Sequence, residues 1–328
     1  MKRLLAGLAV CAVAAIVALG AAWYCVYGDR THPQAAVQVV VERGATFDDI
    51  ARQLAGEGVI GNVWSFRALA KLRGQDVAVR AGEYRFGPRV TQSEVLRALV
   101  TGGAQVASWV TIPEGFTAAQ IAERLAAEGL GSEQALQADF MSEQITVDGA
   151  RTKNLEGFLF PSTYLVPLGD EPRHIASLFT AQFYKALPRD APTQAKALHV
   201  TVPQAVTVAS LVEREAKNET DRPKIAAVIY NRLRMRMPLQ VDATIEYALP
   251  EHKSELSFAD LRIDSPYNSY VHAGLPPTPI ANPGLPSLLA ALHPSRTEDL
   301  YYVYCGNGRH VFAKTLAEHQ ANVARCLQ

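Results

Sequence analysis

Two glutamates set the chemistry available to this chain. Glu213 and Glu215 fall near the end of the run PQAVTVASLVEREAKN, and a carboxyl kept protonated near neutral pH can deliver a proton to a glycosidic oxygen. Helical spacing puts Val208, Leu211, Val212 and Glu215 on one stripe and Glu213 on the other side, near Val206, Ala209 and Ala216. By that pattern the buried member is Glu215. It reads equally as one half of a structural ion pair with Arg232 or Arg234, and Glu213 as part of a solvated face. Asp242 is the best-placed second carboxylate for a hydrolase pair. It stands in a short apolar stretch as a mid-strand aspartate or, just as well, as the cap of the helix ATIEYAL. Tyr267, Asn268, Tyr270 and Asn282 suit sugar, since rings stack on pyranose faces and amides bond hydroxyl and N-acetyl groups. His272, His293, His310 and His319 share no metal-ligand spacing, and Ser210 lacks the turn of a hydrolase nucleophile. Neither a metal nor another cofactor is expected.

The elements that must position these groups are legible in outline. Thr201 is a candidate cap for the glutamate-bearing helix, and Pro203 takes the favoured first-turn position. Past Pro238 the chain becomes SPYNSYVHAGLPPTPIANPG, a proline-rich and largely non-helical wall. The helix SLLAALHP follows, then the strands YYVYC and HVFAK around the turn GNGR. Upstream, a segment repeats at an offset of 71 residues: Gly44, Thr46, Ile50, Ala51, Leu54, Ala55, Glu57 and Gly58 return as Gly115, Thr117, Ile121, Ala122, Leu125, Ala126, Glu128 and Gly129. Each copy runs from a β-rich stretch (VQVVV, WVTI) through glycine to a threonine cap, with Asp49 or Gln120 three residues on as capping-box partner. Between the copies, VWSFRALAKLRG and TQSEVLRALVTGG read as helices and AGEYRF as a strand, and RHIASLFTAQFYKAL is a further helix.

The chain has 328 residues, 48% of them hydrophobic, and equal numbers of basic and acidic side chains, 32 of each. No charge excess argues for nucleic acid. Leu4 to Gly28 is uncharged and long enough to cross a bilayer as a helix. Lys2 and Arg3 before it, and Trp23, Tyr24 and Tyr27 near its far end, predict a single anchor with everything from Asp29 outside the cytoplasm. A cleaved signal peptide is the alternative. An oxidising compartment permits a bridge between Cys305 and Cys326, although spacing alone does not place them within reach.

Taken together, LEGFLFPSTY (155–164), ASLVEREA (209–216), VIYNRLRMRMPLQVDATIEYAL (228–249), SPYNSYVHAGLPPTPIANPG (265–284) and GNGRHVFAKTLAEHQANV resemble the MltG/YceG-like endolytic transglycosylase family. The resemblance implies an α+β protein: a transmembrane helix (1–28), a LysM-like module (29–105) and a catalytic domain (106–328) holding a second LysM-like strand-helix unit at 108–130. It implies an inner-membrane enzyme that cuts the MurNAc-GlcNAc bond of peptidoglycan strands on the periplasmic side, leaving 1,6-anhydro-MurNAc ends and so ending strand elongation near the synthases. It assigns acid/base catalysis to the first glutamate of ASLVEREA, Glu213; Gln240, Asp242, Asn268 and Asn282 match motif positions and, with Glu215 and Tyr267, are the candidates for binding substrate or supporting the site. One departure is Ser162, where the family usually carries aspartate. The competing expectations are a muramidase-type hydrolase using Glu213 with Asp242, and a non-catalytic peptidoglycan-binding scaffold.

Overall fold

The computed structural model describes residues 36–326 except 43, 89, 103–105, 252 and 254, together with positions 13, 15–17 and 20. Among these residues no helix is long and apolar enough to cross a membrane. The expected span Leu4–Gly28 lies almost wholly outside the described residues. The architecture is mixed α+β, with four two-stranded sheets among helices in the described residues. It divides into one unit running to Trp109, with Gly129–Gly131 and Leu165–Glu171, and a second made of the remainder.

In the first unit β1 (Val37–Val41), α1 (Phe47–Gly56), α2 (Val63–Leu72) and β2 (Gly82–Phe86) precede α3 (Gln92–Thr101). β1 and β2 pair antiparallel, with Val39 opposite Tyr84. Alternation sends Val39, Val41, Tyr84 and Phe86 inward, while Val40 stays exposed. Ile50, Leu54, Phe66, Leu69, Leu96 and Leu99 complete the core from the helices. The Tyr84 hydroxyl donates to the carbonyl of Arg80 at 2.8 Å, so the buried ring leaves no polar group unpaired.

The internal repeat is visible in the backbone. Gly44 and Gly115, at φ +76° and +80°, open the two helices, and Gly58 and Gly129, at +72° and +71°, close them. Thr117 and Gln120 form a full capping box. Thr46 accepts from the Asp49 amide, but the Asp49 carboxylate takes the Thr46 hydroxyl instead of the backbone N–H, so the first copy makes only half the box.

The second unit contains α4 (Ala118–Ala127), α5 (Glu133–Ser142), the small hairpin β4 (Thr146–Val147) and β5 (Ala150–Arg151), α6 (Pro172–Ala186) and α7 (Ala191–Ala197). Strands β3 (Ala107–Thr111) and β6 (Thr163–Pro167) pair with each other. α8 (Val202–Glu215) is the centre of this unit, and α9 (Arg222–Arg234), α10 (Asp242–Ala248) and α11 (Leu285–Leu292) pack on it. Thr201 caps α8 through a capping box with Gln204, and Pro203 lies in its first turn, as its sequence predicts. Every residue from Ala205 to Val212 is buried, because partners cover α8 on all sides. The two-sided wheel read from its sequence therefore describes only its last turn.

Asp242 is neither a mid-strand residue nor a cap. It is the first residue of α10, after Val241 as N-cap. β7 (Tyr301–Tyr304) and β8 (His310–Ala313) pair antiparallel across the GNGR turn, and α12 (Leu316–Cys326) follows. Cys305, just after β7, is bridged to Cys326, with Cα atoms 4.4 Å apart. Gly157, at φ +88°, is required where it stands: a Cβ there would lie 2.4 Å from Cγ of Pro279 in the proline-rich wall.

Candidate active site

Glu215, the last residue of α8, lines a cleft of about 340 Å³ together with Arg232, Gln240, Asp242, Tyr270 and Tyr302. The Tyr302 hydroxyl donates to Glu215 Oε2 at 3.1 Å. Burial pushes the Glu215 carboxyl up to about 7. The Tyr302 hydrogen bond works against that rise, and the negative charge of Asp242 adds to it. The Tyr302 phenol is in turn raised well above its ordinary range by burial and by Glu215. Asp242 accepts a hydrogen bond from the Tyr270 hydroxyl across the same cleft.

The ion pair that Arg232 or Arg234 could have offered Glu215 does not form. Arg232 donates through Nε to the Leu300 carbonyl at 2.7 Å and through Nη1 to the Leu239 carbonyl at 2.7 Å, and its guanidinium lies 5.1 Å from the Tyr301 ring centroid. Arg234 bonds Asn231 Oδ1.

His310 and His319 also reach the cleft. His310 is tied to Asp221, whose Oδ2 accepts its backbone N–H at 2.7 Å and lies 3.1 Å from Nδ1. The His319 ring lies nearly parallel to Tyr301, with centroids 5.2 Å apart. Its Nδ1 is buried and has no hydrogen-bond partner among the described residues. Burial, then the Arg232 charge, hold its pKa below the ordinary imidazole value, so the ring is neutral at pH 7.

Glu213 has different surroundings. Its side chain is only 7% exposed, and Oε1 accepts from Arg222 Nη1 at 3.0 Å. Oε2 accepts the Gly284 backbone N–H at 2.9 Å. Arg222 also donates to Ser287 Oγ. The Glu114 carboxyl lies against Gly284, where a Cβ would come within 1.9 Å of Glu114 Oε1. Burial raises the Glu114 carboxyl, as does the Glu213 charge. The result is a clasp joining the turn before α4, the end of α8, the start of α9 and the start of α11. The solvated face expected for Glu213 is absent, because Arg222 and the Gly284 amide cover it.

The remaining expected site residues separate. Gln240 lines the Glu215 cleft from a left-handed backbone position, φ +52°, and its N–H donates to the Ser269 carbonyl at 3.0 Å. Asn268 is fully buried, with Nδ2 donating to the Leu261 and Ile263 carbonyls and Oδ1 accepting from the Tyr270 amide. Asn282, also fully buried, donates to the Phe116 carbonyl and Glu156 Oε1 and accepts from the Leu159 amide. Both amides are engaged as internal braces. Tyr267 lines another cleft, its hydroxyl 2.8 Å from Thr278 Oγ1. Ser162 takes part through its backbone, its carbonyl accepting the Ile112 N–H at 2.9 Å.

The sequence reading passed over Glu156, Arg222, Glu114 and Tyr302. Glu156 is 1% exposed, and burial raises its carboxyl to about 7 despite hydrogen bonds from the Ala118 amide, Tyr247 and Asn282. Its one signal was a charged residue inside the apolar run LEGFLF. Tyr302 had none, because its partner Glu215 is 87 residues away in sequence.

The chain matches the YceG-like family over residues 39–325. It belongs to that family. An endolytic murein transglycosylase of Bacillus subtilis is 35% identical over 300 residues, 86% of this chain and 82% of the relative. One from Streptococcus pneumoniae is 30% identical over 321 residues, 88% of this chain and 58% of that longer relative. Among solved structures, a YceG-like protein of Listeria monocytogenes is similar with a TM-score of 0.58 at 31% identity, covering 88% of this chain and 99% of the other.

Proposed function

We infer that this YceG-like chain is an endolytic lytic transglycosylase of peptidoglycan, and that its acid/base is Glu215 rather than Glu213. The observation that carries the assignment is the placement of Glu215: an acid raised to about 7 by burial, opening on a cleft and held by one phenol. Glu213, the residue to which the family resemblance assigned this role, has both oxygens engaged by Arg222 and the Gly284 amide.

In the proposed reaction the protonated Glu215 carboxyl donates to the glycosidic oxygen as the bond between MurNAc and GlcNAc breaks. The carboxylate so formed takes the proton of the muramoyl C6 hydroxyl, whose oxygen closes the 1,6-anhydro ring on the anomeric carbon. No water is consumed, and one residue serves in both directions. Tyr302 keeps the carboxyl in one rotamer, and the Asp242–Tyr270 pair lines the sugar-binding wall. Asp242 in the same cleft is the observation that would suit a hydrolase pair.

The test is digestion of purified peptidoglycan by the wild type and by the Glu215→Gln and Glu213→Gln variants, with strand ends read by mass spectrometry. Anhydromuramyl ends from the wild type and from Glu213→Gln, but not from Glu215→Gln, are expected. Reducing ends would make the enzyme a hydrolase, and loss only in Glu213→Gln would return the acid to that residue. No cleavage by any of the three would favour a non-catalytic scaffold.

The first unit is proposed as the LysM-like module. Its strand–helix–helix–strand order with an antiparallel pair supports this. The chain is placed in the inner membrane through Leu4–Gly28, with both units on the periplasmic side. The uncharged run and the flanking Lys2 and Arg3 support this, as does a Cys305–Cys326 bridge of the kind an oxidising compartment maintains. Trimming nascent strands beside the synthases would follow from that placement. Fusion of a reporter active only outside the cytoplasm to the C-terminus tests it.

A further inference from the structure

α10 separates two clefts of the second unit. Asp242, its first residue, belongs to the Glu215 cleft, whereas Ala243, Glu246 and Tyr247 line another of about 620 Å³. Across from α10 this larger cleft is walled by Gln120 and Glu123 of α4 and Gln137 of α5. Arg214, between the two glutamates of α8, pairs with Glu246 at 2.9 Å on its rim, and both side chains are about a third exposed, 32% and 28%. The bond-breaking steps use none of these groups.

We propose that the larger cleft binds the stem peptide of the muramoyl residue whose glycosidic bond is broken beside Glu215, an inference that rests on the transglycosylase reading. Peptidoglycan chemistry supplies the ligand: each muramoyl lactyl group carries a short peptide bearing carboxylates and an amine. An α-helix with its side chains is about 10–12 Å across. Four or five extended residues span roughly 13–18 Å, enough to pass over α10 from one cleft to the other. The wall offers both signs at once, Arg214 for a carboxylate and Glu123 or Glu246 for an amine, with the amides of Gln120 and Gln137 for peptide groups. A sugar subsite fits less well. The Tyr247 and Tyr267 rings lean on each other, 4.9 Å apart at 56°, and their hydroxyls are engaged by Glu156 and Thr278.

The experiment compares the full chain with a Glu123→Ala/Gln137→Ala double variant, both positions being exposed and outside the catalytic cleft. Each enzyme is given glycan strands with stems and the same strands stripped of stems by an amidase. The wild type should prefer stem-bearing strands, and the double variant should lose about tenfold in kcat/KM on those, through KM, the size expected for a few polar contacts. On stripped strands the two enzymes should be equal. Equal loss on both substrates would convert the cleft to a sugar subsite, and a wild type indifferent to stems, or a variant unaffected on either substrate, would overturn the proposal. Anhydromuramyl ends from the wild type on either substrate keep the transglycosylase reading whatever the variant does, so the two inferences fail separately.

Discussion

At the end of one helix the protein builds a clasp and a cleft around carboxyls two positions apart. Glu213 is closed in by a guanidinium and a backbone amide, and its acceptors are engaged in holding three segments together. Glu215 has one phenol for a partner and a cavity in front of it. The contrast teaches that burial alone does not mark an acid catalyst. Both side chains leave bulk water, but only Glu213 is ion-paired to a guanidinium; at Glu215 desolvation outweighs the Tyr302 hydrogen bond and the Lys217 charge.

The largest expected effects break the comparison directly. Glu215→Gln should lower the rate of anhydromuramyl formation by about 10²–10⁴, the range for removal of a general acid, with little change in Tm. Arg222→Met should do the reverse: it strands the Glu213 charge at a cost of about 3–5 kcal/mol, read as a lower denaturation midpoint, while folded enzyme still cuts. Equal activity losses in the two variants would collapse the distinction.

Glu156 sharpens the comparison as a third buried carboxyl, raised like Glu215 but with hydrogen-bond donors at both oxygens. The unfolded group titrates near its ordinary value of 4.5, and burial pushes the folded one up to about 7. The native state therefore holds more protons across that window, and stability present below about 4.5 is lost as pH rises towards about 7. Chemical denaturation between pH 4.5 and 8 should show that decline. Glu156→Gln should flatten it by an amount on the order of 3 kcal/mol, taking about 1.4 kcal/mol per pH unit.

Smaller effects probe the cleft itself. The rate should fall above about pH 7 as Glu215 loses its proton. Asp242→Asn removes a charge that raises Glu215, so the falling limb should move to lower pH. Tyr302→Phe removes the hydrogen bond that lowers it, so the limb should move to higher pH. Shifts in the same direction would mean that the limb belongs to another group. Smallest of all, His319→Phe keeps the ring against Tyr301 but deletes the unpartnered Nδ1. Removing a buried polar atom that makes no hydrogen bond should stabilise the fold by about 1 kcal/mol, read as a slightly higher denaturation midpoint, with KM for glycan unchanged, and a lower midpoint would show that Nδ1 has a partner in the folded protein.

Local signals carried well from sequence to fold. Thr201 with Pro203 starts α8, the glycines shared by the two repeat copies take matching left-handed backbone positions, and Val39 and Tyr84 face inward as their alternation requires. The candidate site was legible only in part, for a physical reason. The different surroundings of the two glutamates depend on Arg222, Gly284 and Tyr302, groups 9, 71 and 87 residues removed from their partners. Periodicity sees one helix at a time. The burial stripe points to Glu215 as the inward member of the pair, whereas the family resemblance assigns the chemistry to Glu213. Asn268 and Asn282 suit sugar by residue type, yet their amides are engaged by the backbone carbonyls of Leu261, Ile263 and Phe116.

The Cys305–Cys326 bridge fastens α12, which carries His319, to the end of the strand that carries Tyr302. In a reducing compartment that fastening would be absent, and α12 would be held to β7 by its non-covalent contacts alone. On the periplasmic placement proposed above, export would complete the cleft as well as deliver it. A wall-cutting activity would be assembled only where there is wall to cut, and hydrogen exchange in α12 with and without reductant would show it.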